Sequence, residues 1–238
     1  MWIEPLASSS AGNSYIISDG VSRIMIDCGI DFTELKIKTN FFNPRIDGCL
    51  ISHSHGDHSK SVGKLLKFGI RCYMSAETCS EIEKGAHVGN TFVSHIKHNE
   101  NFNIGTFSIK PLLLNHDVHC LGFYIYSSET KESLFFATDT YMITYRFKQL
   151  DYIMVEANYD LSIVNYQIAT GEYESVAKER LMKSHMEINS TLLWLKKQNL
   201  SGCKRIYLLH LSNGSSDKDK FKQLIIEETG IPVTVCEA

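Results

Sequence analysis

This chain of 238 residues is defined first by what it lacks. It has no run of eighteen apolar residues, so no membrane-spanning helix is expected. Met1-Trp2-Ile3-Glu4-Pro5 shows neither a basic start nor an apolar core, which argues against a secretory leader. Neither sign of charge dominates: 24 Lys and Arg face 27 Asp and Glu, for a net charge of −3. No global field therefore draws the chain to nucleic acid or to an anionic membrane, although a local basic stripe stays open. The seven cysteines are odd in number and scattered, with no C-x-x-C pair. That excludes a disulfide framework and suits small core residues of a cytoplasmic protein. With four prolines, no Pro/Gly/Ser-rich linker and no low-complexity segment, residues 1–238 are expected to form one domain.

What is present is a concentration of metal-ligand residue types. His53-Ser54-His55-Gly56-Asp57-His58 packs three of the ten histidines and one aspartate into six residues. The run follows apolar Cys49-Leu50-Ile51, a buried strand by its composition, and its Ser and Gly mark a tight loop. A loop at a strand end aims several side chains at one point. Imidazole nitrogen and carboxylate oxygen suit Zn²⁺, Mn²⁺ or Fe²⁺.

The remaining chain alternates strands and helices. Trp2–Leu6, Tyr15–Ile17 and Arg23–Ile26 read as strands, the last two joined around the turn Asp19-Gly20. Ser8–Ser14 is either a plain hairpin turn or a cradle of backbone N–H groups for an anion. Asp27 either orients a metal-binding histidine or caps the next helix. Helices are expected over 31–38, 59–68, 76–84, 172–183, 187–198 and 217–228. Lys60, Lys64 and Lys67 share one face of the second, a face that is either solvated or phosphate-binding. Further strands are expected over 70–74, 91–95, 107–114, 121–126, 133–137, 152–155, 205–209 and 233–235. Ligand-type residues recur where apolar strands stop: His116 after Leu114, Asp139 after Ala137 and His210 after Leu209. In a layered α/β protein such positions gather at one edge of the sheets. With His53, His55, Asp57 and His58 they make seven ligands, enough for two ions if one carboxylate bridges.

H-x-H-x-D-H after a strand, followed by His, Asp and His at later strand ends, resembles the metallo-β-lactamase superfamily. The resemblance covers nearly the whole chain and implies an α/β fold, the αββα four-layer sandwich, with its site along one edge. It implies His53, His55 and His116 on a first metal, Asp57, His58 and His210 on a second, and Asp139 between them. Two divalent ions are implied, zinc first, with manganese or iron as alternatives. Antibiotic-cleaving members use a cysteine where Asp139 stands, so that activity is not expected. Ser9-Ser10-Ala11-Gly12-Asn13, Asp27-Cys28-Gly29, Thr138-Asp139-Thr140 and Glu156-Ala157-Asn158 are most similar to the YycJ/WalJ-like group. Ser184-His185-Met186 stands where that group and RNase Z carry Gly-His-[Leu/Ser]. There His185 would act as proton donor to the leaving oxygen, and His185 and Asp57 are the expected catalytic residues. The alternative for His185 is a cap on the following helix.

An acid beside two metals suits a phosphodiester, whose alkoxide leaving group is poor, better than a thioester. The resemblance implies a nucleotide or nucleic-acid substrate and, as in relatives, a homodimer. The chain carries neither the exosite arm of RNase Z nor the added domain of the β-CASP nucleases. A compact member without an arm also resembles the viral anti-Pycsar phosphodiesterases, which open 3′,5′-cyclic mononucleotides. The expectation leans to that substrate, with the YycJ/WalJ-like DNA or RNA exonuclease as alternative and a thioester or lactone hydrolase behind it. Tyr141, Tyr145, Tyr159 and Tyr166, all near strand ends, either stack on a base or pack in the core or surface.

Overall fold

The computed structural model describes residues 1–85 and 92–237. Two sheets form in chain order. The first contains β1 (Trp2–Ser9), β2 (Gly12–Ser18), β3 (Arg23–Ile26), β4 (Gly48–Leu50), β5 (Cys72–Met74) and β6 (Val93–His95), side by side in that sequence. The second contains β7 (Phe102–Ile104), β8 (Phe107–Leu114), β9 (Cys120–Ser127), β10 (Ser133–Ala137), β11 (Tyr152–Glu156), β12 (Arg205–Leu209) and β13 (Val233–Val235). Each sheet begins as an antiparallel meander and ends as parallel strands. The change has a covalent cause, because parallel neighbours need a crossover. Between β10 and β11 residues 138–151 cross without a helix; everywhere else helices supply the crossover. In the first half these are α1 (Phe32–Lys38), α2 (Gly56–Ser59), α3 (Val62–Lys67) and α4 (Ala76–Gly85). In the second they are α5 (Leu161–Ala169), α6 (Ser175–Ser184), α7 (Ile188–Leu195) and α8 (Lys218–Thr229).

The period-2 alternation of each strand divides its apolar residues between two cores. Tyr15, Ile17, Ile24, Ile26 and Leu50 meet Phe123, Ile125, Phe136, Met154 and Leu209 between the sheets. The alternate residues Ile16, Met25, Cys49 and Ile51 pack under α1 and α3, on Leu35, Val62 and Leu65. Phe135, Ile153, Ile206 and Leu208 pack under α7 and α8, on Leu192, Trp194, Phe221 and Ile225. Strands covered on both faces need no polar side, hence their near-continuous apolar runs. The result is the expected αββα four-layer sandwich.

Several elements differ from the sequence expectation. The helix expected over 59–68 is two: α2 starts three residues earlier, inside the histidine loop, and α3 restarts after Ser61. Ser8–Ser14 is largely strand, since β1 and β2 pair down to Ser9 opposite Gly12; Ser10-Ala11 is then the hairpin turn, not an anion cradle. The expected strand at 91–95 begins at Val93, and Thr91 lies outside the described residues. Helix α5 and strand β7 were not expected. Asp160 caps α5 through Ser162 N at 2.8 Å. The helix expected over 172–183 begins only at Ser175.

The two sheets are tied at one corner by Asp19. Its carboxylate accepts from the backbone N–H groups of Val21 (3.1 Å) and Ser22 (2.8 Å), and from Thr106 Oγ1 and Ser127 Oγ at 2.6 Å each. Burial raises its pKa, but the hydrogen bonds from Ser127, Thr106 and Ser22 outweigh that and leave it lowered. A lowered carboxylate contributes stability above the unfolded carboxylate range and loses it as pH falls through the lowered value. Asp19→Ala should therefore cost about 2 kcal/mol at neutral pH. It should also flatten the decline of stability below about pH 4. Urea titrations across pH measure both, and a variant with the parental acid limb would contradict this role.

Candidate metal centre

Strand ends build the site. β4 runs through Ile51-Ser52 into His53, and α2 opens at Gly56, so His55 stands at the N-cap and Asp57 and His58 on the first turn of a helix. His116 follows β8, Asp139 follows β10 and His210 follows β12. All these ends lie on one edge of the sandwich. Asp27, Asp139 and His210 have φ of 57°, 50° and 53°, a left-handed conformation that L residues other than glycine seldom adopt. It turns each strand sharply and throws its side chain to the centre. Local hydrogen bonds hold the turns: Asp27 N–H to Leu50 O at 2.8 Å, and His210 N–H to Ser8 Oγ at 2.9 Å.

The seven expected ligands converge. His53, His55, His116 and Asp139 form one group whose ligand atoms all lie within 4.8 Å of one another. Asp57, His58, Asp139 and His210 form a second under the same limit, and Asp139 belongs to both. Asp139 Oδ2 stands 3.5 Å from His53 Nε2, 3.4 Å from His58 Nε2 and 3.9 Å from His116 Nε2; its Oδ1 is 3.7 Å from His210 Nε2. Asp57 Oδ2 is 3.3 Å from His210 Nε2 and 3.4 Å from His58 Nε2.

Outer partners fix the rings. Asp27 accepts from His58 Nδ1 at 2.7 Å and from the N–H and hydroxyl of Ser52, both at 2.8 Å. Asp31 caps α1, through Thr33 N, so of its two expected roles Asp27 takes the orienting one. His116 Nδ1 donates to Ser184 O at 3.1 Å, which ties the end of α6 to the site. The Asn158 amide lies 3.0 Å from His210 Nδ1, and that of Asn13 sits 3.0 Å from His58 Nε2. Gly29 makes the inner wall possible. A Cβ there would stand 1.6 Å from Asp57 O, because Cys28 N–H bonds His58 O at 2.8 Å and Gly29 N–H bonds Asn13 O at 2.9 Å.

Sequence reasoning missed Glu156 as a site residue. It is fully buried at the end of β11, and its Oε1 accepts from His185 Nδ1 at 2.6 Å while its Oε2 accepts from Thr140 N–H at 3.0 Å. The His185 ring stacks on His210 at 5.2 Å and lies 6.0 Å from His116. It therefore faces both ligand groups. Glu187, not His185, caps α7. Asp117, also missed, is half exposed with Oδ1 3.1 Å from His116 Nε2. The resemblance of Glu156-Ala157-Asn158 to the YycJ/WalJ-like group is a signal for Glu156, though not for its role; an Asp beside a histidine carries none. Of the two readings of the tyrosines, packing is the one observed: the cavity at the site, about 400 Å³, is lined by Tyr173 and by none of the four. Tyr159 is core, Tyr145 is engaged with Leu113 O, and Tyr141 and Tyr166 are among the exposed residues elsewhere.

The electrostatics suit cations. Burial lowers the pKa of His53 and neighbouring His58 lowers it further, so the ring is neutral. Its Nε2 is buried without a hydrogen-bond partner, an arrangement that costs free energy unless a lone pair there meets a cation. Burial works against a charged His58 and His210. The carboxylate of Asp139 overrides it in both, assisted by Asp27 for His58 and by Asp57 and Glu156 for His210, which is raised to about 10. Burial likewise pushes Asp139 up, and the histidines around it bring it well below the usual carboxylate range. The carboxylates thus pull positive charge into a buried space, and the donor set is that of first-row divalent ions.

A four-layer sandwich with these two ligand groups at its edge is the architecture of a metal-dependent hydrolase. Residues 22–211 match the model of the beta-lactamase superfamily domain, and the chain belongs to the metallo-β-lactamase superfamily. Exodeoxyribonuclease WalJ of Streptococcus pneumoniae is 27% identical over 228 residues, which cover 90% of this chain and 82% of WalJ. Exodeoxyribonuclease YycJ of Bacillus anthracis is 25% identical over 246 residues, 96% of this chain and 90% of YycJ. Zn²⁺-bound PqqB of Methylobacterium extorquens shares the fold with a TM-score of 0.77 at 14% identity, covering 100% of this chain and 99% of PqqB.

The backbone contact at Gly29 is testable alone. Gly29→Ala must push α2 off the loop that follows β3, and should lower stability by on the order of 3 kcal/mol. Denaturant midpoints measure it; parental stability would show that the contact is looser than described.

Proposed function

We propose that the protein is a two-metal phosphodiesterase acting on nucleotide phosphodiesters, with a DNA strand end as its favoured substrate. The His185–Glu156 pair beside the ligand groups carries the reading. His53, His55 and His116 would hold one ion and Asp57, His58 and His210 the other, with Asp139 common to both groups. When bound, two divalent ions supply water of lowered pKa and neutralise charge at the phosphate. Zinc suits the set best, with manganese or iron as alternatives.

The chain's own residues then divide the work. Asp27 and Ser52 hold the His58 ring, and the Ser184 carbonyl holds His116, so that the facing nitrogens point inward. Glu156 fixes the His185 tautomer by accepting from Nδ1. Burial works against the charged ring, but the Glu156 carboxylate outweighs it and raises the His185 pKa. The ring can therefore carry a proton on Nε2 and deliver it to the departing oxygen. Asp57 faces the cavity together with His185, and we assign it a place at the reacting phosphate as well as on the metal. Arg180, on the same cavity wall, offers a charge to a phosphate oxygen.

The similarity to WalJ and YycJ over nearly the whole length of both chains supports DNA. A second reading, hydrolysis of 3′,5′-cyclic mononucleotides, is supported by the cavity of about 400 Å³, which suits one nucleotide. Both readings need the same machinery. With Mn²⁺ or Zn²⁺ added, bis(p-nitrophenyl) phosphate should turn over. Activity on S-lactoylglutathione in its place would refute the proposal. His185→Ala should slow that turnover about 10²- to 10⁴-fold and keep its metal, whereas Asp139→Ala should lose metal and activity together. Mass analysis of products from single-stranded DNA and from cyclic mononucleotides separates the two substrates.

A further inference from the structure

The acidic chain carries several stretches with positive charge and no carboxylate, and one of them leaves the metal loop. Between Asp57 and Glu77 lie Lys60, Lys64, Lys67 and Arg71 and no carboxylate. This stretch leaves the metal loop as α2 and α3, and α3 buries Val62, Leu65 and Leu66 while Lys64 and Lys67 stay exposed. At the far end of α3 a groove of about 460 Å³ is lined by Phe41, Phe68, Phe92, Arg45 and Arg71 among others. Phe41 is 64% exposed, Phe68 53% and Phe92 39%. Three large aromatic rings rarely stand open together on a surface without a partner.

The groove is built, not incidental. Asn40, Phe41 and Phe42 are consecutive residues at φ 49°, 56° and 59°, a left-handed run that non-glycine residues seldom form. It turns Phe42 inward and leaves Phe41 outward. The Phe68 ring leans on Phe42 at 5.1 Å and on Phe32 at 5.9 Å, so its position is set while more than half of it stays open. The Arg71 guanidinium lies 5.7 Å from the Phe92 ring centre and is anchored on Ser94 Oγ at 3.1 Å. Nearby carboxylates are few: Asp47 is 3.8 Å from the Arg45 guanidinium, and Asp31 is 3.6 Å from Lys64 Nζ.

Open aromatic rings interleaved with arginine and lysine are the combination that holds a single strand, bases on rings and phosphates on cations. We infer that the groove at Phe41, Phe68 and Phe92, reached from the metal loop along Lys64 and Lys67, binds single-stranded DNA and holds the strand whose end is cleaved. The inference rests on the DNA reading of the site. From His58 to Phe68 the chain runs ten residues along α2 and α3, about 15 Å at helical rise, a distance that a strand of a few nucleotides covers. Charge complementarity selects a polyanion over a second copy of this acidic chain.

Fluorescence anisotropy with labelled oligodeoxythymidine, in EDTA so that nothing is cleaved, tests it on the full chain. Phe41→Asn suits the left-handed backbone, and should weaken binding about 5- to 150-fold, as loss of one stacked base implies. Lys64→Gln combined with Lys67→Gln should reduce the slope of log affinity against log salt by about 1.4. Both variants should hydrolyse bis(p-nitrophenyl) phosphate at the parental rate. Unchanged oligonucleotide affinity and salt slope would overturn the inference. So would a parent that binds no strand, or a groove covered by a second copy, seen as a dimer that Phe41→Asn dissociates without affecting DNA affinity. If the strand binds here and no phosphodiester is ever cleaved, the groove stands and the catalytic reading falls. Cleavage of DNA with unaltered variants does the reverse.

Discussion

The buried carboxylate of Asp139, 3.4 to 3.9 Å from nitrogens of four histidines, is the constraint on which the site depends. With Asp27 and Glu156 also fully buried, and Asp57 half-buried beside them, the edge of the sandwich concentrates negative charge where water is scarce. Such charge is tolerated only if cations or protons meet it. The histidines answer in two ways: His58 and His210 are drawn toward the charged form, while His53 stays neutral with an unpartnered nitrogen. A divalent ion held by these groups would meet both demands. The same field reaches His185, whose Nδ1 is held by Glu156 while its ring lies against His210 and near His116.

Backbone geometry makes that convergence possible. The parallel strands bring their carboxyl ends to one edge, but a strand end alone points its side chain along the pleat. Left-handed residues at Asp27, Asp139 and His210 redirect three of them inward. Gly29 lets the loop after β3 touch α2 backbone to backbone. The strain of these turns is held by the two cores beneath, which bind each strand from both faces.

Much of this was legible in the sequence, and the parts that were not share a reason. Apolar runs ending in His or Asp located the edge, because strands covered on both faces leave little else to read. The dense loop from His53 to His58 needed no tertiary information. Glu156 did, since its role lies in a contact with His185, 29 positions away. The break of the expected 59–68 helix at Lys60-Ser61 was equally hidden: Ser61 N–H bonds Cys28 O and its hydroxyl bonds Ile30 O, contacts that only the folded chain creates. The two roles left open for Asp27 were separable only once Asp31 was found capping α1. Left-handed turns at aspartate and histidine carry no sequence signature comparable to glycine.

The central claim, two ions bridged by Asp139, is tested most directly by anomalous diffraction at the zinc edge from crystals grown with zinc. The account predicts two peaks roughly 3.5 to 4 Å apart, one against His53, His55 and His116 and one against Asp57, His58 and His210, with Asp139 between them. A single peak, or none within reach of Asp139, would contradict it.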